Sequence, residues 1–166
     1  MREFTMRAVA SGVLVAMGVA MTTRFGLAKG SPDEIVIFGP HVTAPIDITD
    51  RPTLRRFSPW MGEFIDWNRG VFAAPPVCRA SYDVRFYQKW EGRRSKFDRG
   101  PLKFIFEFTY CPAARGPGFV KLPGPGDRFY EDNSATMIRT GKDGHWFRAS
   151  MQWDSIVSRS RASIAR

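Results

Sequence analysis

Two successive runs in which apolar and polar side chains alternate constrain this chain more than any other feature. Tyr82, Val84, Phe86 and Trp90 alternate with Asp83, Arg85, Tyr87 and Lys89; Leu102, Phe104, Phe106, Phe108 and Tyr110 alternate with Lys103, Ile105, Glu107 and Thr109. A period of two sends alternate side chains to opposite faces of a strand. The connection between the runs is short enough for a hairpin, so the expectation is an antiparallel pair with one apolar face turned inward. Opposed residues share a face, and keeping both apolar sets inward requires paired residue numbers to sum to an even value.

Shorter elements surround that pair. Glu34–Phe38 and Ile46–Thr49 read as a first hairpin, with Gly39-Pro40 stopping the first strand. Asp50 reads as the N-cap of a short helix that tolerates Pro52 in its first turn and carries Leu54 and Phe57 on one face. Ser58-Pro59 opens a further helical turn or two, ended by Asn68-Arg69-Gly70, and Pro75-Pro76 marks a connection. Phe119–Leu122 is a brief strand. Ala135–Thr140 and His145–Ala149 read as another hairpin, with a four-residue loop that sets Ile138 against Phe147 and keeps Arg139 from facing Arg148. Ser150 caps a C-terminal helix with Trp153, Ile156, Val157 and Ile164 at helical spacing.

The fold class expected is α+β: a mainly antiparallel sheet of about five to seven strands, a short helix after the first hairpin and a C-terminal helix. No fixed repeat and no low-complexity linker divides the chain, so residues 29–166 read as a single β-rich domain.

Residues 1–28 read differently. Arg2 and Arg7 precede an uncharged apolar run from Ala8 to Met21, followed by polar Thr22, Thr23 and Arg24. That order is the pattern of a signal peptide, and the run is shorter than the ~20 residues a bilayer-crossing helix needs. Cleavage after Ala20 and cleavage after Ala28 both satisfy the small-residue rule; an uncleaved N-terminal membrane anchor is the alternative. No later segment reaches spanning length, so the expected location is secreted or periplasmic. Loss of residues 1–28 removes Arg2, Arg7 and Arg24 together with Glu3 and lowers the formal charge from +9 to +7. The basic balance that remains suits acidic proteins or anionic envelope polymers.

Cys78 and Cys111 are the only cysteines, and an oxidising compartment makes them a natural disulfide. Neither a C-x-x-C spacing nor a nearby His supports redox chemistry. Their numbers sum to an odd value, so the bridge requires a bulge or an irregular strand end, as Pro76 and Pro112 permit.

Catalytic patterns are missing. The glycines at 116, 118, 124 and 126 are interrupted by prolines and lie on both sides of a strand, which fits turns rather than a phosphate loop. Two histidines, His41 and His145, fall short of a zinc ligand set, so no metal and no cofactor are implied. Asp127, Glu131 and Asp132 form the densest acidic group but lack the ligand order of a calcium loop; Glu63 and Asp66 are a further carboxylate pair. The most suggestive segment is a hairpin tip where Arg93, Arg94, Lys96 and Arg99 are interleaved with Trp90 and Phe97. Cations beside aromatic faces suit polyanion contacts, while a solvated loop that discourages edge aggregation is the competing reading. An extracytoplasmic address argues against nucleic acid as the partner.

The runs Ile35-Val36-Ile37-Phe38-Gly39-Pro40, Ile46–Asp50 and Phe119–Asp127, with Tyr130, Asn133, Ile138-Arg139, Asp143–Trp146, Ala149-Ser150 and Trp153, resemble a group of uncharacterised exported bacterial proteins. The resemblance implies export and one shared fold, and it supplies no catalytic residue. The functional expectation is an exported non-enzymatic binding or structural domain of the cell envelope or extracellular space, with Trp90, Arg93, Arg94, Lys96 and Arg99 as its binding surface. The alternative is a hydrolase of wall or surface polymers acting through Asp127, Glu131 and Asp132.

Overall fold

A computed structural model describes residues 31–164 apart from 41, 43, 74–75, 90–99 and 135–141. Residues 1–28, read from the sequence as a signal peptide, therefore lie outside the described residues. Seven strands, β1 (Glu34–Phe38), β2 (Ile46–Ile48), β3 (Val71–Phe72), β4 (Tyr82–Lys89), β5 (Leu102–Cys111), β6 (Phe119–Lys121) and β7 (Trp146–Arg148), form one sheet in the order β2-β1-β4-β5-β6-β7-β3. Every neighbouring pair is antiparallel. The helices are α1 (Arg51–Arg56), α2 (Tyr130–Ser134) and α3 (Met151–Ile164). The α+β class with its first hairpin, short helix and C-terminal helix is what the alternation and caps require.

The caps act as the residue types dictate. Asp50 accepts a hydrogen bond from the Thr53 amide at 3.0 Å, and Ser150 Oγ accepts one from the Trp153 amide at 3.2 Å. Each satisfies one of the orphan donors of a helix start. The caps orient α1 and α3 so that Leu54, Phe57, Trp153 and Val157 cover one sheet face, where Ile35, Ile37, Val84, Phe86, Phe106, Phe108, Val120 and Phe147 are buried. Phe64 sits between helices and sheet, its ring 4.4 Å from Phe108, 5.9 Å from Phe86 and 6.0 Å from Phe106. Trp153 adds edge contacts to Phe57 and Phe108.

Three expectations are corrected. Residues 58–62 form a turn, with the Ser58 carbonyl accepting from Met61 and Gly62, and the only helical piece between Ser58 and Gly70 is a single 3-10 turn at Trp67–Arg69. The left-handed φ of 66° at Gly70 then releases the chain into β3. The β4–β5 ladder keeps even sums from Tyr82↔Tyr110 to Phe86↔Phe106, then shifts so that Tyr87 faces Phe104. Ile105 is the extra residue of this bulge, which turns Phe104 away from the core face and against Tyr87 and Phe129. Finally, β7 cannot hold a local hairpin partner from 135–140, because β6 and β3 already occupy its two sides at Val120↔Phe147 and Val71↔Phe147. Residues 135–140 themselves lie outside the described residues.

Cys78 and Cys111 form a bonded pair with Cα atoms 5.7 Å apart. The irregularity their odd sum requires is supplied by Cys78, which precedes β4 in non-strand chain, while Cys111 ends β5.

Phe64→Ala should lower the unfolding free energy by about 3–5 kcal/mol, the range for removing a fully buried aromatic ring. Denaturant titration with an unchanged slope checks it; a loss below about 1 kcal/mol would mean that the ring is not the wedge between helices and sheet.

Candidate functional site

The sheet face away from the helices carries the polar members of every alternation. One row crosses the sheet as Phe38, Asp83, Thr109, Lys121, Trp146 and Phe72, and the next as Asp47, Val36, Arg85 and Glu107. Arg85 and Glu107 are direct cross-strand partners, joined Nε to Oε2 at 2.5 Å, with side chains only 18% and 13% exposed. The Arg85 guanidinium also lies 4.5 Å from the Phe38 ring centre, 5.7 Å from that of Phe129 and 3.8 Å from Asp83. Aromatic faces on this cation supply the electrostatic complement that water no longer provides.

A second pair closes the row below. Lys121 Nζ donates to both Asp127 oxygens at 2.9 and 2.8 Å, and the Gly124 amide donates to Asp127 at 2.8 Å. The turn that delivers Asp127 relies on Gly124, where an added Cβ would stand 2.6 Å from the Gly144 Cα; two backbone turns touch there. After it, Phe129 takes a left-handed φ of 60° and packs its ring 4.7 Å from Phe104. The Lys121–Asp127 pair and Glu107, with Asp83, Thr109 and Arg128, line a cavity of about 210 Å³, and Arg85 holds Glu107 from beside it.

Burial pushes the Glu107 carboxyl above its ordinary value, against the opposing hydrogen bond and charge of Arg85. Burial acts to lower the Arg85 value too, but the bond and charge of Glu107 outweigh it and hold the guanidinium charged. At Asp127 burial acts upward, yet Lys121 and the Gly124 amide together hold the carboxyl below the usual range. The cavity therefore joins the Lys121–Asp127 pair to Glu107, whose carboxylate is engaged by Arg85, with Asp83 and Arg128 also on its wall.

The structure gathers few of the sequence-predicted site residues. Trp90, Arg93, Arg94, Lys96 and Arg99 lie outside the described residues, as does His41. Of the acidic group, Asp127 lines the cavity while Glu131 and Asp132 are exposed on α2. Glu63 stands 3.7 Å from Arg56, and Asp66 caps the 3-10 turn through the Asn68 amide. No group of three metal-ligating side chains occurs among the described residues. Arg85 and Glu107 were legible as a pair: they are opposite charges at outward positions whose numbers sum to an even value. No family model matches the chain, and neither do curated proteins or solved structures.

Arg85→Met should destabilise the fold by about 2 kcal/mol at neutral pH, because an ionised Glu107 would then be buried without that donor. The loss should shrink as the pH falls through the Glu107 pKa, since a neutral carboxyl needs no cation; denaturation midpoints across pH check this, and a loss that ignores pH would count against an ionic pair. In the parent protein the two carboxylates act with opposite sign. Asp127 contributes stability above the unfolded carboxylate pKa that disappears as the pH falls through its own lower value. Glu107 contributes below the unfolded value and loses that contribution as the pH rises through its own higher one. Carboxyl NMR titration should accordingly place the Glu107 midpoint above that of Asp127; the reverse order would refute the assignment.

Proposed function

We propose that this chain is an exported, non-enzymatic binding or structural domain of the bacterial cell envelope or extracellular space. The observation that carries the reading is the bonded Cys78–Cys111 pair, with no free cysteine beside it. Such bridges persist in oxidising compartments and are rare in the cytosol. The charged, apolar, small-residue order of residues 1–28 points the same way. Among the described residues no helix is long and apolar enough to cross a membrane.

The non-enzymatic half rests on charge pairing. Arg85 with Glu107 and Lys121 with Asp127 commit two of the cavity's carboxylates to cations, and the third, Asp83, lies 3.8 Å from Arg85. The rival, a polymer hydrolase using Asp127, Glu131 and Asp132, has less support: Asp127 is held ionised by Lys121, and the other two are exposed.

Fractionation with N-terminal sequencing and non-reducing mass analysis tests the address. The expected product begins at Met21 or Lys29, sits outside the cytoplasm and lacks free thiols. A full-length chain in the cytosol with both thiols reduced would sink the proposal. The binding surface is tested separately by changing Arg93, Arg94, Lys96 and Arg99 to Ser beside an intact Trp90. Retention on isolated envelopes should fall about tenfold at low salt and less at high salt, where the charges are screened; unchanged retention would remove this segment as the contact.

A further inference from the structure

Exposed apolar side chains are concentrated at one margin of the sheet. Val71 and Phe72 of the edge strand β3 are 49% and 36% exposed, Trp67 38%, Met61 63% and Val77 96%; only Leu102 and Met151 compare with them elsewhere among the described residues. Packing holds them together. A Cβ on Gly62 would lie 2.8 Å from the Trp67 ring, which places the Met61 turn against that ring. The disulfide holds the Val77–Cys78 segment beside Cys111, whose partner across the ladder is Phe119, and the Phe119 ring meets Phe72 at 5.2 Å.

Cations border the same margin. The Arg148 guanidinium lies 4.4 Å from the Phe119 ring centre and Lys142 Nζ 4.2 Å from that of Trp67. Arg79 follows Cys78, and Arg115 precedes Gly116, whose Cβ position is 4.0 Å from Arg148 Nη2. None of these four pairs with a described carboxylate, unlike Arg85 and Lys121 of the polar sheet face. None of these residues lines the three cavities formed by Asp47–Thr53 with α3, by α1 with α3, and by the Lys121–Asp127 pair with Glu107. At two residues, β3 is also too short to template another chain's strand.

A projecting edge with aromatic and aliphatic tips and unpaired cations matches a surface that is anionic outside, apolar beneath and indifferent to shape. We propose that the β3 margin docks onto an anionic phospholipid bilayer, with Val77, Val71 and Trp67 entering the headgroup boundary while Arg79, Arg115, Lys142 and Arg148 meet lipid phosphates. This deepens the exported-domain reading and rests on it, since export is what brings the domain to an envelope membrane.

Co-sedimentation of the processed chain, residues 29–166, with vesicles of phosphatidylcholine alone or mixed with phosphatidylglycerol tests the proposal. Binding is expected on the mixed vesicles only. The triple change Arg79→Gln, Arg115→Gln and Arg148→Gln should weaken it about tenfold or more, whereas Arg51→Gln, Arg55→Gln and Arg159→Gln, which remove equal charge elsewhere, should leave it near the parent value. Val71→Ser with Val77→Ser keeps the charge and should weaken binding severalfold. Equal losses from the two arginine triples would reduce the effect to net charge, and no loss from the valine pair would exclude insertion; either result overturns the proposal. So would full competition by soluble polyphosphate with no vesicle preference. Export is scored independently by the fractionation described above, so failure of vesicle binding and failure of export are separate results.

Discussion

The register of β4 against β5 is the constraint on which the rest of the molecule depends. Setting Phe86 opposite Phe106 and Val84 opposite Phe108 builds the apolar floor on which Phe64 and Trp153 stand. Because side chains alternate, the same register must set Arg85 opposite Glu107 on the reverse face. A slip by one residue would bury that ion pair beneath the helices and expose the aromatic rings, two penalties that reinforce each other. Core and polar cluster are thus two consequences of one pairing, and neither can be altered through register without the other.

The bulge at Ile105 shows how far this constraint reaches. On the core side of the bulge the ladder is regular; beyond it Phe104 turns to the polar face and gives Phe129 a ring to pack on. That contact anchors the turn after Asp127 and so places the Lys121–Asp127 pair beside Arg85 and Glu107. A single extra residue therefore furnishes the polar face with an apolar support that strict alternation would have denied it.

Sequence patterns revealed those parts of the fold that are determined locally. The two long alternating strands, β1 with β2, and the Asp50 and Ser150 caps carry their signals within a few residues of where they act. Elements defined by distant partners were opaque. Val71-Phe72 is too brief to display a period, and β7 looked like half of a local hairpin because its real partners, Val120 and Val71, lie 27 and 76 residues away from Phe147. The short α2 follows a left-handed Phe129, a conformation that an aromatic residue does not announce. At the site, the charges of Arg85 and Glu107 were visible, but their burial depends on Phe38, Phe104 and Phe129 arriving from three separate segments.

Charge pairing differs between the polar face and the β3 margin of the sheet. Within the polar face, the half-buried Arg85 and Lys121 have acquired carboxylate partners, as a desolvated charge must. At the margin, water remains available and Arg79, Arg115 and Arg148 need no such partner. Left to itself, Val77 would have every reason to fold back onto apolar surface, yet its neighbour Cys78 is fixed to Cys111 and the side chain remains 96% exposed. The covalent bond therefore stabilises more than the end of β5: it holds an apolar side chain in water beside unpaired cations, an arrangement that hydrophobic collapse alone would tend to erase.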